Sequence, residues 1–249
     1  MSPTAPHDDV PLLRPAATGV ARRAADRLGN LHPAAVYAIT YPAGLVLLTL
    51  LTIGVGLLLV HVLLPEGLRN LDGRFPRWLA EHRTPGRTDW SEWGSLIGDS
   101  PVLPALILIG MAIALALKRG RVAAFLGGAG VAELIVYRIT TLSVHRERPG
   151  TGRLDPQLPV DQSFPSGHTG ASVAVYCAIM LVVASRWPRL RVLWPIAVAL
   201  PVIVALSRMY RGMHHPIDTI AGALVGVGCI ALALVATRAA IAARERRES

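Results

Sequence analysis

Long apolar runs separated by short arginine clusters restrict the fold of this sequence more than any other feature. A run of about 20 apolar residues is what crosses a hydrocarbon core of roughly 30 Å, so each such run reads as a membrane span. Six stretches qualify: Val36–Leu64, Pro101–Leu117, Val122–Val144, Gly167–Ser185, Val192–Ser207 and Pro216–Thr237. With 52% apolar residues, 16% charged residues and a mean hydropathy of +0.46, the chain is too apolar for an ordinary soluble domain. The pattern predicts an all-α, polytopic membrane protein with six transmembrane helices and no second domain. A membrane domain over 36–237 is expected between a disordered cytoplasmic tail, 1–35, and a basic cytoplasmic tail, 238–249. The first 30 residues lack the short apolar core and small-residue cleavage site of a signal peptide.

The arginines orient the spans. Arg14, Arg22, Arg23 and Arg27 precede span one, and Lys118, Arg119 and Arg121 link spans two and three. Arg186, Arg189 and Arg191 link four and five, and Arg238, Arg244, Arg246 and Arg247 follow six. In an alternating bundle all four groups share one side, which the positive-inside rule makes cytoplasmic. The chain is therefore expected in the cell membrane with both termini inside. The net charge of +9 flanks spans and forms no basic face on a soluble domain, which argues against a nucleic-acid partner. Cys177 and Cys229 lie within apolar runs and read as small buried hydrophobes. On the opposite side, segment 65–100 carries Leu68, Leu71, Phe75, Trp78, Trp90 and Trp93, the signature of an amphipathic piece lying at the outer interface.

Two outer loops hold arginines and histidines that the charge rule does not put there. His145-Arg-Glu-Arg148-Pro149 leaves span three, and Pro165-Ser166-Gly167-His168 opens span four. Ser207-Arg208, five residues, His214, three residues and Asp218 join spans five and six. These residue types suit phosphate. Arg148 and Arg208 offer planar forks for phosphate oxygens. The Ser166-Gly167 backbone opens a helix, where unpaired N–H groups and the dipole favour an anion, and Gly167 lets it approach. His214 and Asp218 are spaced for a carboxylate–imidazole pair, which leaves the other ring nitrogen free to attack phosphorus. His168 is a second imidazole, able to protonate a departing alkoxide.

The pattern resembles the type-2 phosphatidic-acid phosphatase superfamily, whose helical-bundle core is shared with vanadium haloperoxidases. Its signature is lysine, six residues, Arg-Pro; then Pro-Ser-Gly-His; then Ser-Arg, five residues, His, three residues, Asp. The second and third parts match at every fixed position, and the likeness extends over about residues 101–237. With residues equiprobable, each would arise by chance in roughly one chain of this length per thousand. The resemblance implies His214 as nucleophile, Asp218 as its orienting partner and His168 as acid for the leaving group. It implies phosphate contacts from Arg148, Ser166, Gly167 and Arg208, and neither metal nor organic cofactor. The implied substrate is a membrane lipid phosphate at the outer face: a polyprenyl diphosphate, phosphatidic acid or phosphatidylglycerophosphate.

Motif one departs from the pattern, because its lysine falls on Thr141. Arg138, one helical turn deeper, is the expected replacement, with Thr141 giving one hydroxyl contact and Arg146 as a further candidate. His145 is a candidate substrate contact, and His215 is expected to cap span six before Pro216. Two alternatives share the residues. A phosphotransferase would pass the phosphohistidine to an acceptor hydroxyl, and a catalytically weak binding protein would keep only the fold.

Overall fold

The computed structural model describes residues 10–63, 66–99 and 101–248. It is all-helical in its regular structure. Helix α1 covers Val20–Arg27, α2 Pro33–Leu58, α3 Glu66–Glu81, α4 Pro85–Leu96, α5 Val102–Ala116 and α6 Gly120–Ser143. Then come α7, Gly167–Arg186 with a π-turn at Val173–Cys177, α8, Trp194–Tyr210, and α9, Pro216–Glu248. Helices α2, α6, α7, α8 and α9 are long and apolar enough to cross a bilayer. The second expected span, α5, has 15 residues and rises only about 22 Å at 1.5 Å per residue, so it is a shorter sixth.

Helix α2 starts where its sequence supplies a start. His32 Nδ1 accepts from the Ala34 N–H at 3.2 Å and Pro33 takes the first helical position of α2, where its missing N–H costs nothing. Helix α2 exposes Val46, Leu47, Leu50, Leu51 and Val55, a lipid-facing surface, and buries only Val36, Thr49 and Gly56. The centre of the bundle is α6 and α9, where Phe125, Ala129, Ala132 and Val136 meet Cys229 and Ala233. Small residues let α7 lie against α9. A Cβ on Gly226 would stand 2.5 Å from the Gly170 carbonyl oxygen, and one on Gly222 would run into the Ser166 carbonyl. Cys229 is buried as expected, whereas Cys177 is only half-buried.

The N-terminal tail differs from the expectation of disorder over its described residues. Within residues 10–35, α1 packs Ala21 and Ala25 against Ala239, Ala242 and Ala243 of α9, which continues as helix to Glu248. Arg238 donates to the Leu12 carbonyl at 3.0 and 2.7 Å, and the Leu12 N–H donates to Ser185 Oγ at 2.7 Å. Alanine faces this small allow helices to close up, which charge composition by itself does not reveal. Residues 1–9 of the expected tail lie outside the described residues.

Segment 65–100 becomes the pair α3 and α4. Leu68, Leu71, Phe75 and Trp78 of α3 and Trp90 and Trp93 of α4 are exposed, as an interfacial piece requires. Beside that exposed stripe α3 buries Asp72. Arg83, between the two helices, donates to the Tyr210 carbonyl at 2.8 Å and to the Gly152 carbonyl at 2.8 Å, tying the pair to the end of α8 and to the loop after α6.

Candidate active site

The three motif segments meet at one end of the bundle. The turn between α8 and α9 needs a left-handed residue, and Gly212 supplies it at φ +71°. His214 follows, 3% exposed, with Nδ1 2.7 Å from the Ser163 carbonyl oxygen. A carbonyl only accepts, so Nδ1 carries the hydrogen and Nε2 keeps its lone pair. Burial pushes the imidazole well below its usual pKa. Asp218 opposes that shift, and the charges of Arg148, Arg208 and His168 reinforce it. His214 is thus a neutral base surrounded by three of the sequence candidates.

The expected His214–Asp218 hydrogen bond is not made. Asp218 Oδ2 accepts instead from Ser163 Oγ at 2.6 Å, from the His215 N–H at 2.8 Å and from His215 Nδ1 at 3.2 Å; Oδ1 accepts from Arg146 Nη1. The physical reason is position. Asp218 is the third helical residue of α9, from which a carboxylate reaches back to the N–H of the capping residue, here His215. The capping role expected of His215 holds in that form. Asp218 is therefore linked to His214 through its field and through Ser163, which accepts from His214 at its carbonyl and donates to Asp218 at its hydroxyl.

Arg208 is 2% exposed. Its Nη1 donates to Ser95 Oγ at 2.8 Å and to Asp155 Oδ2 at 2.9 Å, while Nε and Nη2 are buried without partners among the described residues. Those two N–H groups form one edge of the guanidinium fork, and a buried unmade donor costs about 1–3 kcal/mol, more when charged. Arg148 is tethered by three carbonyls, those of Pro159, Met213 and Gln162, at 2.7, 2.6 and 2.8 Å. Burial, then the like charge of Arg208, draws the Arg148 guanidinium below its usual range. An anion held between the two arginines would relieve that repulsion.

Ser166 is the N-cap of α7 and its hydroxyl pairs with Thr169 Oγ1 at 3.0 Å, so it does not cap the first-turn N–H groups. Its own N–H donates to the Asp218 carbonyl at 2.9 Å, which fixes the start of α7 against α9. Gly167 is required by packing: a Cβ there would meet the Tyr137 ring at 2.7 Å. The reason differs from the open approach for phosphate expected from sequence. His168 Nε2 lies 3.6 Å from Asp99 Oδ1. Asp155 is braced by Arg211 at 2.5 and 3.0 Å as well as by Arg208. Burial raises its pKa, but the hydrogen bonds and charges of Arg211 and Arg208 outweigh that and hold it below the usual carboxylate range.

The replacements expected for the missing lysine are not brought in. Arg138 is exposed on α6, and no hydrogen bond or ion pair joins it to the cluster or to Glu133 among the described residues. Thr141 is fully buried with an unpartnered hydroxyl. Arg146 reaches the site but spends its guanidinium on Asp218 and Asp72. His145 is exposed, pairs with Asp161 at 3.3 Å and lines a cavity of about 490 Å³ with Arg77, Arg148 and His215. A second cavity, about 430 Å³, is lined by Asp89, Glu92, Asp99, Asp155 and Arg211. Ser163, Asp72, Asp99 and Asp155 all escaped the sequence reading. None stands in a motif, and only the chain's return through space brings Ser163 to His214, Asp72 to Arg146, Asp99 to His168 and Asp155 to Arg208.

Comparison with known proteins agrees with this geometry. Over 73 residues the chain is 37% identical to the undecaprenyl-diphosphatase of Sulfolobus acidocaldarius, covering 29% of this chain and 32% of that protein. Over 106 residues it is 26% identical to undecaprenyl-diphosphatase BcrC of Bacillus subtilis, covering 41% of this chain and 51% of that one. The chain thus spans between a third and a half of the length of these relatives. In fold it is similar to the crystal structure of a transmembrane PAP2-type phosphatidylglycerolphosphate phosphatase from Bacillus subtilis. That match has a TM-score of 0.62 at 22% identity and covers 78% of this chain and 94% of that one. The family model of the PAP2 superfamily matches residues 45–242, which include every motif residue described above, and the chain belongs to that superfamily.

Proposed function

We propose that the chain is a multi-pass membrane enzyme that removes phosphate from a lipid phosphate or diphosphate through a phosphohistidine on His214. The observation that carries this reading is the meeting of a neutral His214, its Nδ1–H held by the Ser163 carbonyl, with the unpartnered Nε and Nη2 of Arg208. His214 Nε2 attacks phosphorus, and the lipid-side oxygen leaves with a proton from His168. The imidazolium character that develops on His214 is stabilised by the buried Asp218 carboxylate. Arg148, Arg208 and the first-turn N–H groups at Ser166-Gly167 offset charge on the transferred phosphoryl oxygens. Water then attacks the phosphohistidine, with His168 taking its proton, and inorganic phosphate leaves.

A polyprenyl diphosphate is the favoured substrate, because the curated relatives named above are undecaprenyl-diphosphatases. Phosphatidic acid and phosphatidylglycerophosphate are the alternatives. Arginine clusters on the other face support a reaction at the outer leaflet, with both termini cytoplasmic. Phosphate release from a panel of the three lipids in detergent tests the reading. His214→Ala should abolish turnover in a folded protein, and acid-labile labelled phosphate should be trapped on wild type but not on the variant. Turnover by His214→Ala at the wild-type rate, or a strict requirement for added divalent metal, would refute the proposal.

A further inference from the structure

The Asp218 carboxylate is the inner end of a buried chain of charges that begins outside the catalytic motifs. Asp72, on the buried face of the interfacial helix α3, is 6% exposed, and its Oδ2 accepts from Arg146 Nη2 at 2.5 Å. The other terminal nitrogen of Arg146, itself 8% exposed, donates to Asp218 Oδ1. Asp72 Oδ1 also accepts from the Ile217 N–H at 3.0 Å, so α3 grips the first turn of α9 directly. The backbone of Arg146 is held on both sides: its N–H donates to the Asp161 carbonyl and its carbonyl accepts from the Ser163 N–H, each at 3.0 Å. Ser163 then connects back to Asp218 through its hydroxyl and to His214 through its carbonyl.

We propose that Asp72 and Arg146 are positioning residues that set the Asp218 carboxylate, and through it Ser163 and the His214 tautomer, for attack on phosphorus. Two carboxylates buried this close would repel each other, and the Arg146 fork between them makes both tenable. Each of the two terminal nitrogens of Arg146 already serves a carboxylate, so Arg146 does not take the missing lysine's place on phosphate. Asp72 is buried at the edge of the stripe formed by the exposed Leu68, Leu71, Phe75 and Trp78, so the interfacial helix also braces the Asp218 carboxylate. The inference rests on the phosphohistidine reading above.

The test uses the whole chain in detergent, with undecaprenyl diphosphate as substrate and orthovanadate as the phosphate probe. Asp72→Asn and Arg146→Met should each lower kcat about tenfold or more, with KM and the vanadate Kd within about threefold of wild type. Arg146→Lys should retain more activity than Arg146→Met, and the double variant should be no worse than Arg146→Met alone. A folded Asp72→Asn enzyme with wild-type kcat overturns the inference. Vanadate affinity falling in step with kcat overturns it too, since that marks Arg146 as a phosphate ligand. Where the other variants do not fold, Arg146→Lys carries the test, and wild-type kcat in it is a refutation. Absence of turnover in wild type counts against the proposed function instead. Spectra of ¹⁵N-histidine then read the network directly: a fixed Nδ1–H imidazole at His214 in wild type should become a tautomer mixture in Arg146→Lys, and an unchanged spectrum overturns the inference.

Discussion

Replacing Arg208 by lysine isolates what the guanidinium fork contributes. The charge stays, and the ammonium can still reach Asp155, but the paired Nε and Nη2 edge is gone. Those are the two donors that have no partner among the described residues. Losing one charge-assisted hydrogen bond to the transferred phosphoryl group costs about 1.5–3 kcal/mol, which is roughly 10- to 150-fold in kcat/KM. The sign for stability is opposite. Arg208→Lys removes two buried donors that no described protein group meets, so the melting temperature should hold or rise while catalysis falls. Phosphate release from undecaprenyl diphosphate, paired with a thermal melt in the same detergent, reads both quantities. Arg138→Ala is the control. It lies on the exposed side of α6, and its kcat/KM should stay within about twofold of wild type. If Arg208→Lys stays within about threefold of wild type, the unpartnered edge does not face phosphate and the argument fails. A melting temperature that drops together with activity would make Arg208 a structural residue.

Two other outcomes are expected. His214 must be neutral to attack, and burial holds its pKa well below 6.5, so the acid limb of kcat/KM should lie well below pH 6.5; half-loss at or above that value contradicts the assignment. Because the unfolded histidine takes up a proton below about pH 6.5 and the folded one does not, His214 should also make stability fall as pH drops from there toward its folded pKa. In a background lacking Cys177 and Cys229, Gly150→Cys should react with an impermeant thiol reagent in intact cells, since a side chain there meets nothing within 4 Å. A cysteine at exposed Glu248 should react only after permeabilisation, and the reverse pattern would turn the enzyme over in the membrane.

Much of the architecture was legible because lipid removes choices. Five of the six apolar runs became helices long enough to span, and the sixth became the shorter α5, with boundaries near those read from hydropathy. His168, His214, Arg148 and Arg208 were legible because phosphoryl chemistry needs those residue types and the motifs space them rigidly. Arg138 is exposed on α6 and not turned to the cluster: helical periodicity gives a neighbour at one turn but not which face of α6 is exposed. The order within residues 10–35 was not legible because α1 packs on α9 through alanine, which carries no distinctive pattern.

The sequence by itself determined a helical membrane bundle, the family, and which motif residues are candidates for phosphate chemistry, because those follow from solvent and from local spacing. Only the tertiary structure decided what Asp218 touches. A four-residue spacing brings Asp218 near His214 but does not order the competition for its oxygens. Arg146, Ser163 and His215 win that competition, two of them from a loop more than 50 residues away in the chain. Hydrogen-bond partners are chosen by distance in space, and for groups this far apart in sequence only the folded chain sets that distance.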